Sequence, residues 1–277
     1  MKGVTYTTTK QLLINTALPE LTRTYKPVSH QEVMDLTLNS IYNAGYILDK
    51  ESYQSTSEGQ VAVGRYTIKS VADSEMQLQI AWLNSYNRTK KLTWGLGVQV
   101  FICQNGVISA DMGSFKKKHQ GEIQEYTPRA ITEYIKQAED VFTKLQVERE
   151  QMKQVEIDPR IISTLLGRMF YEEEFITSTQ LNIIKRELSV PSFDYGCSNS
   201  LWNLYQDTTF SLKDIHPSLW MKNHLAAHQF FSEASDMLTT IHVQAEPTIE
   251  VYPKSLILRD TEIPTEDPRV KQLSLYD

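Results

Sequence analysis

Two alternating runs limit what this chain can fold into more than any other feature. Met76, Leu78, Ile80 and Trp82 alternate with Gln77, Gln79 and Ala81, and Trp94, Leu96, Val98, Val100 and Ile102 alternate with Gly95, Gly97, Gln99 and Phe101. A period of two sends successive side chains to opposite faces, so each run predicts a strand with one buried face. The polar stretch NSYNRTKK (84–91) connects them. Upstream, Tyr46–Ser55 and Gln60–Ser70 flank TSEG, which has the makings of a hairpin turn. Downstream, Asn105-Gly106 predicts another hairpin turn, because both residues tolerate positive φ. The block 46–110 is therefore expected to be an antiparallel meander.

Helical signals surround that block. Ser29 can cap a helix that runs to Gly45, with Glu32 as its capping-box partner and Val33, Leu36, Leu38, Ile41 and Tyr42 forming a broad apolar face. From Thr127-Pro128 the apolar period lengthens to three or four through Ile131, Ile135, Ala138, Phe142 and Leu145, predicting one long helix to about Gln154 with Pro128 in its first turn. Asp158-Pro159 opens another helix, Thr177 with Gln180 a third that ends before Pro191, and 200–209 and 217–239 are helical in pattern. A run of strands followed by a run of helices implies an α+β fold, an antiparallel β-meander with a preceding helix and a helical C-terminal half packed on one face of the sheet. The expected organisation is an N-terminal arm (1–28), one α+β domain (29–246; strand-rich 46–110, helical 127–240) and a tail (247–277) containing Pro247, Pro253, Pro264 and Pro268.

Composition narrows the setting. At 277 residues and 40% apolar content the chain can bury a sizeable core. Its net charge of −6 is divided unevenly: 14 Lys and Arg against 11 Asp and Glu in residues 1–130, then 14 against 23. An acidic total argues against coating duplex DNA over the whole surface, though not against a local basic groove. Cys103 and Cys197 each lie in apolar or aromatic surroundings and predict buried, reduced thiols, which suits a reducing cytosol. The N-terminus has no apolar signal-peptide core, and no run nears the ~20 residues needed to span a bilayer. A cytoplasmic location with no membrane partner is expected.

The basic residues are concentrated. Arg88, Lys90 and Lys91 share one connection, Lys116, Lys117 and Lys118 follow the next hairpin with His119, and Asp111 is the only acid between Arg88 and His119. In a meander, connections one strand apart can meet at the same end of the sheet. Tyr86, Trp94 and Phe115 are interleaved among them. Cations that follow a phosphate backbone beside rings that stack on bases are what a single-strand binder needs. The nucleic-acid-binding set read from the sequence is Arg88, Lys90, Lys91, Lys116, Lys117 and Lys118, with Tyr86 and Phe115 for stacking. The plainer reading is a set of solvated, solubilising loops.

Other motifs carry less. His224 and His228 (HLAAH) share a helix face, but Leu225 stands where the metalloprotease pattern needs Glu, so packing histidines are expected and no metal site is assigned. Glu172-Glu173-Glu174 makes a solvated turn, too acidic for the flanking helices to enter a DNA groove. There is no phosphate-binding glycine loop, dinucleotide fingerprint or nucleophile elbow. No catalytic residue and no cofactor are assigned.

Two stretches carry a family resemblance: Val100 to His119, a strand with Cys-x-Asn-Gly followed by a basic segment ending in His, and Asn199 to Phe231 with its Leu-Trp-x-Leu-Tyr-x-x-x-Thr core. Together, over about residues 30–235, they resemble the phage- and plasmid-associated family called domain of unknown function 932. Here the strand reads Val-Phe-Ile-Cys where members often have Arg-Val-Val-Cys. The resemblance implies a mobile-element origin, hence a host-cell cytoplasm if phage-encoded, and supplies no catalytic residues. The predicted order of elements is also similar to the core of single-strand annealing recombinases, which line a groove with basic residues and often form rings. That is an analogy of fold alone. The leading expectation is a non-enzymatic protein that binds single-stranded nucleic acid, as a recombination or replication accessory that can self-associate. The alternative is a protein-interaction module, structural or host-inhibiting, whose basic loops meet an acidic protein partner.

Overall fold

The computed structural model describes residues 6–69, 73–103, 105–109, 115–118, 123–196 and 199–241. Seven antiparallel strands form one sheet: β1 (Thr7–Thr8), β2 (Leu48–Ser55), β3 (Val61–Ile68), β4 (Met76–Ser85), β5 (Leu92–Val100), β6 (Gly106–Ile108) and β7 (Phe115–Lys117). The order is β1-β2-β3-β4-β5, with β6 and β7 both on the far edge of β5. β6 pairs Gly97–Gln99, and β7 pairs Leu92–Trp94. The helices are α1 (Lys10–Ile14), α2 (His30–Asn43), α3 (Ile123–Ile135), α4 (Ala138–Gln154), α5 (Pro159–Gly167), α6 (Ser178–Ser189), α7 (Leu201–Ser211) and α8 (Pro217–Ile241), with a π-helical turn at Arg168–Glu172. The fold is α+β.

Local chemistry accounts for several boundaries. Ser29 caps α2, accepting from Glu32 N while the Glu32 carboxylate accepts from Ser29 N at 2.7 Å. Asp158 caps α5 through Arg160 N and Ile161 N, both at 2.8 Å. The TSEG turn closes on Gly59 at φ 68°, a conformation glycine adopts without a Cβ penalty.

Helices cover both faces of the sheet, where the alternation predicts one buried face. All ten residues of β4 are buried, including Gln77 and Gln79. Adjacent residues of β5 point to opposite sides and show how this arises. On one face Trp94 donates to Thr37 of α2 at 2.9 Å. On the other, a Cβ on Gly95 would sit 3.0 Å from Met221 of α8. α4 joins α2 on the first face. α8 passes the short β6 edge, so Trp220 and Met221 cover the second face while His228 lies 3.5 Å from Glu148 of α4. The second face keeps polar residues because they bond one another, as Thr67 does to Gln99 at 2.8 Å.

The core is built around a cross-strand pair. Trp82 and Trp94 are directly opposed and fully buried. Gly64 on β3 opposes Trp82, and a Cβ there would lie 2.3 Å from the indole. The missing side chain is the space the ring occupies.

Four local expectations need correction. β5 ends at Val100, and Phe101 and Ile102 are exposed at the hairpin tip, so the alternation overran the strand by two residues. Asn105-Gly106 is not the turn apex: Gly106 pairs with Gln99, and the buried Asn105 amide donates to Gln206 O at 3.0 Å. Cys103 consequently sits in the turn and is buried. The long helix is two, broken at Lys136-Gln137, with Pro128 inside the first. Residues 6–28 are also integrated more closely than a loose arm: β1 pairs β2, and Leu13, Tyr25 and Val28 are buried. Cys197, His119 and the tail lie outside the described residues.

Candidate nucleic-acid interface

The β4–β5 turn is held by its own polar side chains. Asn87 Oδ1 accepts from Thr89 N and Oγ1 at 3.2 and 2.6 Å, and Ser85 Oγ accepts from Lys90 N at 3.2 Å. Arg88 takes a left-handed φ of 63° at the tip. This geometry delivers Lys90 and Lys91 to the start of β5. β7 then pairs with that same stretch, with Lys116 directly opposite Thr93. Opposed residues of an antiparallel pair share a face, so Lys116 stands beside the β4–β5 turn. α8 closes the other side with Ser218, Met221, Lys222, Leu225, Ala226 and Gln229.

The result is a cleft of about 600 Å³, within the size range of small-ligand sites. Lys90, Lys91, Lys116 and Lys222 line it, with no acid among its described lining residues. Among the described residues none of the four lysines makes an ion pair. Leu83, Met221, Leu225 and Ala226 supply apolar wall, and Thr89, Thr93 and Ser218 supply hydroxyls.

The sequence-derived residues divide. Lys90, Lys91 and Lys116 come together. Arg88 is exposed and places its guanidinium over the Tyr25 ring at 4.3 Å, outside the cleft lining. Lys118 is exposed at the end of β7 and does not line the cleft. Lys117 pairs with Leu92, and Phe115 with Trp94, in backbone register; their side chains are outside the described structure. Tyr86 has no ring face open for stacking. It is buried, stacked on His30 at 4.0 Å, and its hydroxyl accepts from His30 N at 2.7 Å. Burial pushes its pKa up to about 12. Lys222 was missed. Its only local signal is a second stripe on α8, Met221, Leu225 and Gln229 beside the buried Trp220, His224 and Phe231.

The histidines of HLAAH are buried in the helix packing. His224 lies against Trp220 with ring centroids 4.4 Å apart. Burial, with help from the Arg65 cation, pushes its pKa down to about 3, against the opposing effect of the Gly106 backbone. It is neutral at pH 7. No group of three or more metal-ligating side chains is present among the described residues. Burial also raises the Cys103 thiol pKa, which disfavours the nucleophilic thiolate.

A seven-stranded antiparallel sheet covered by helices on both faces, with a lysine-lined cleft at one edge, defines an α+β protein. The chain belongs to the family described as Domain of unknown function (DUF932), whose family model matches residues 17–223. No curated protein and no solved structure matches the chain. No described helix is long and apolar enough to cross a membrane.

Proposed function

We propose that this protein binds single-stranded nucleic acid in the lysine cleft. One observation carries the reading: lysines from the β4–β5 turn, from β7 and from α8 line a single cleft with no acid among its described lining residues. Several ammonium groups in one cleft suit a polyanion such as a chain of phosphates. The apolar wall of Leu83, Met221 and Leu225 favours unstacked bases, which a single strand exposes and a duplex hides. The net charge of −6 works against a duplex lying across the rest of the surface. The site as read holds a ligand and needs no reaction.

Fluorescence anisotropy with a labelled strand of ~30 nucleotides and its duplex, at low and moderate salt, tests this. The expected result is salt-sensitive binding that prefers the single strand. Absence of binding at low salt overturns it.

A further inference from the structure

A second cleft, on the far side of α7, has the opposite character. It lies between α5, α6, the α6–α7 connection and α7, with a volume of about 450 Å³. Glu187, Phe193, Asp194, Tyr195, Asn203 and Asp207 are in its lining. Among the described residues no lysine or arginine lines it.

Asp207 is the anomaly. It is 6% exposed, it lines the cleft, and it receives no hydrogen bond from any described residue. A buried carboxylate is normally paired or hydrogen-bonded, because leaving it bare costs several kcal/mol. Here the charge that acts on it is another acid, Glu187 of α6, itself 2% exposed and in the same lining. Burial first, and Glu187 second, raise the Asp207 pKa to about 7. One helical turn earlier, on the same face of α7, the buried Oδ1 of Asn203 also lacks a hydrogen-bond partner. Glu187 shows what the cleft can hold: its Oε1 accepts from Arg186 Nη2 at 3.0 Å on the outer side, while Oε2 accepts from Ser192 N at 2.9 Å. Lys213 also acts on Glu187 through its charge, and its ammonium donates to Cys103 O and lies over the Phe210 and Phe193 rings at 4.7 and 5.5 Å.

The unmet groups, the Asp207 carboxylate and Asn203 Oδ1, are therefore both acceptors. The first is anionic when the site is charged, and Phe193 and Tyr195 stand half-buried in the same lining. A ligand that satisfies them must be a cation with several donors and a face that lies against rings. Guanidinium meets each requirement: it is planar, binds carboxylates with paired N–H groups and stacks on aromatic faces. An ammonium is a point charge and matches the arrangement less well.

We propose that the cleft formed by Glu187, Phe193, Tyr195, Asn203 and Asp207 is a binding site for a guanidinium group, carried either by a free small molecule or by an arginine side chain of a peptide. This site is independent of the lysine cleft.

Isothermal titration calorimetry of the full chain at pH 8 would use three probes: agmatine, a capped Gly-Arg-Gly peptide, and 1,5-diaminopentane as the ammonium control. Millimolar or tighter binding of a guanidinium probe, with the diamine at least tenfold weaker, is expected. Binding of agmatine alone identifies a small-molecule source; binding of the peptide identifies an arginyl one. Asp207→Asn should weaken the bound probe at least tenfold, and Asn203→Ala several-fold. If Asp207→Asn changes the circular dichroism spectrum, the Asn203→Ala variant and the wild-type titrations decide. Failure of both guanidinium probes to bind, equal affinity for the diamine, or undiminished binding by a folded variant would each overturn the assignment.

Discussion

Arg149 holds Asp73 through a single guanidinium nitrogen, Nη1, which lies 2.8 Å from each carboxylate oxygen. Both side chains are almost completely buried. Asp73 also accepts from Gln146 Nε2 at 2.7 Å and from the backbone of Glu75 and Met76, so it pins the start of β4 to α4. Removing one partner leaves a buried charge uncompensated. Asp73→Ala is expected to cost ~3–5 kcal/mol in urea denaturation. A loss below about 1 kcal/mol would show that Glu75 and Glu150, which also lie near Arg149, compensate. Burial alone would raise the Asp73 pKa, but the hydrogen bonds from Arg149 and Gln146 outweigh it and hold it below the ordinary carboxylate value. The stability this pair contributes is therefore complete above the unfolded carboxylate pKa and is lost as pH falls through the lower folded value.

Asp207 has the opposite sign. Its pKa of about 7 exceeds the unfolded value, so between about pH 4 and 7 the folded chain holds a proton that the unfolded chain has released. Stability should decline as pH rises through that window. Asp207→Asn removes the decline. Its melting temperature should match wild type near pH 4 and exceed it at pH 8, by an amount equivalent to ~2–4 kcal/mol. Parallel melting curves for the two proteins from pH 4 to 8 would refute this.

The lysine cleft makes a quantitative prediction. Replacing Lys90, Lys116 and Lys222 together by Ala should weaken single-strand binding at least tenfold, ~1.4 kcal/mol, in anisotropy titrations. The slope of log K against log salt should become shallower by up to ~0.7 per lost contact. Lys222→Ala by itself is the sharper test, because only the tertiary structure brings this residue to the cleft. An unchanged slope would remove α8 from the interface.

Gly97 is the narrowest point of the sheet. A Cβ there would fall 1.9 Å from Val107 O and 2.8 Å from Ile108 Cα. Both obstacles are backbone atoms, which cannot rotate away. Gly97→Ala should cost ~3 kcal/mol or more in thermal unfolding. Hydrogen exchange should find Ser109 N, which donates to Leu96 O at 2.9 Å, newly unprotected. Wild-type protection there would mean that β6 accommodates the methyl.

Much of the architecture is legible without coordinates because it is local. Ser29 with Glu32, Asp158 with Pro159 and the 76–82 and 94–100 alternations each state their structure within a few residues. The failures are equally specific. Asn105-Gly106 has the composition of a turn, but Asn105 is drawn into the core by Gln206, about a hundred residues away. Gln77 and Gln79 signal a solvent face, and α8 covers it. Lys90 and Lys91 can be recognised as candidates from charge alone. Tyr86 cannot be judged as a stacking ring until His30 is seen lying against it.

The sequence by itself determined the strands, the helices, most of their ends and the antiparallel order of the central hairpins, because hydrophobic period, capping and short connections act over a few residues. The tertiary structure decided which faces are buried, which lysines share a cleft, and that Asp207 lies beside Glu187. Those outcomes depend on where α8 passes the β6 edge and how α6 packs on α7. Such contacts join residues distant in the chain, and no local pattern encodes them.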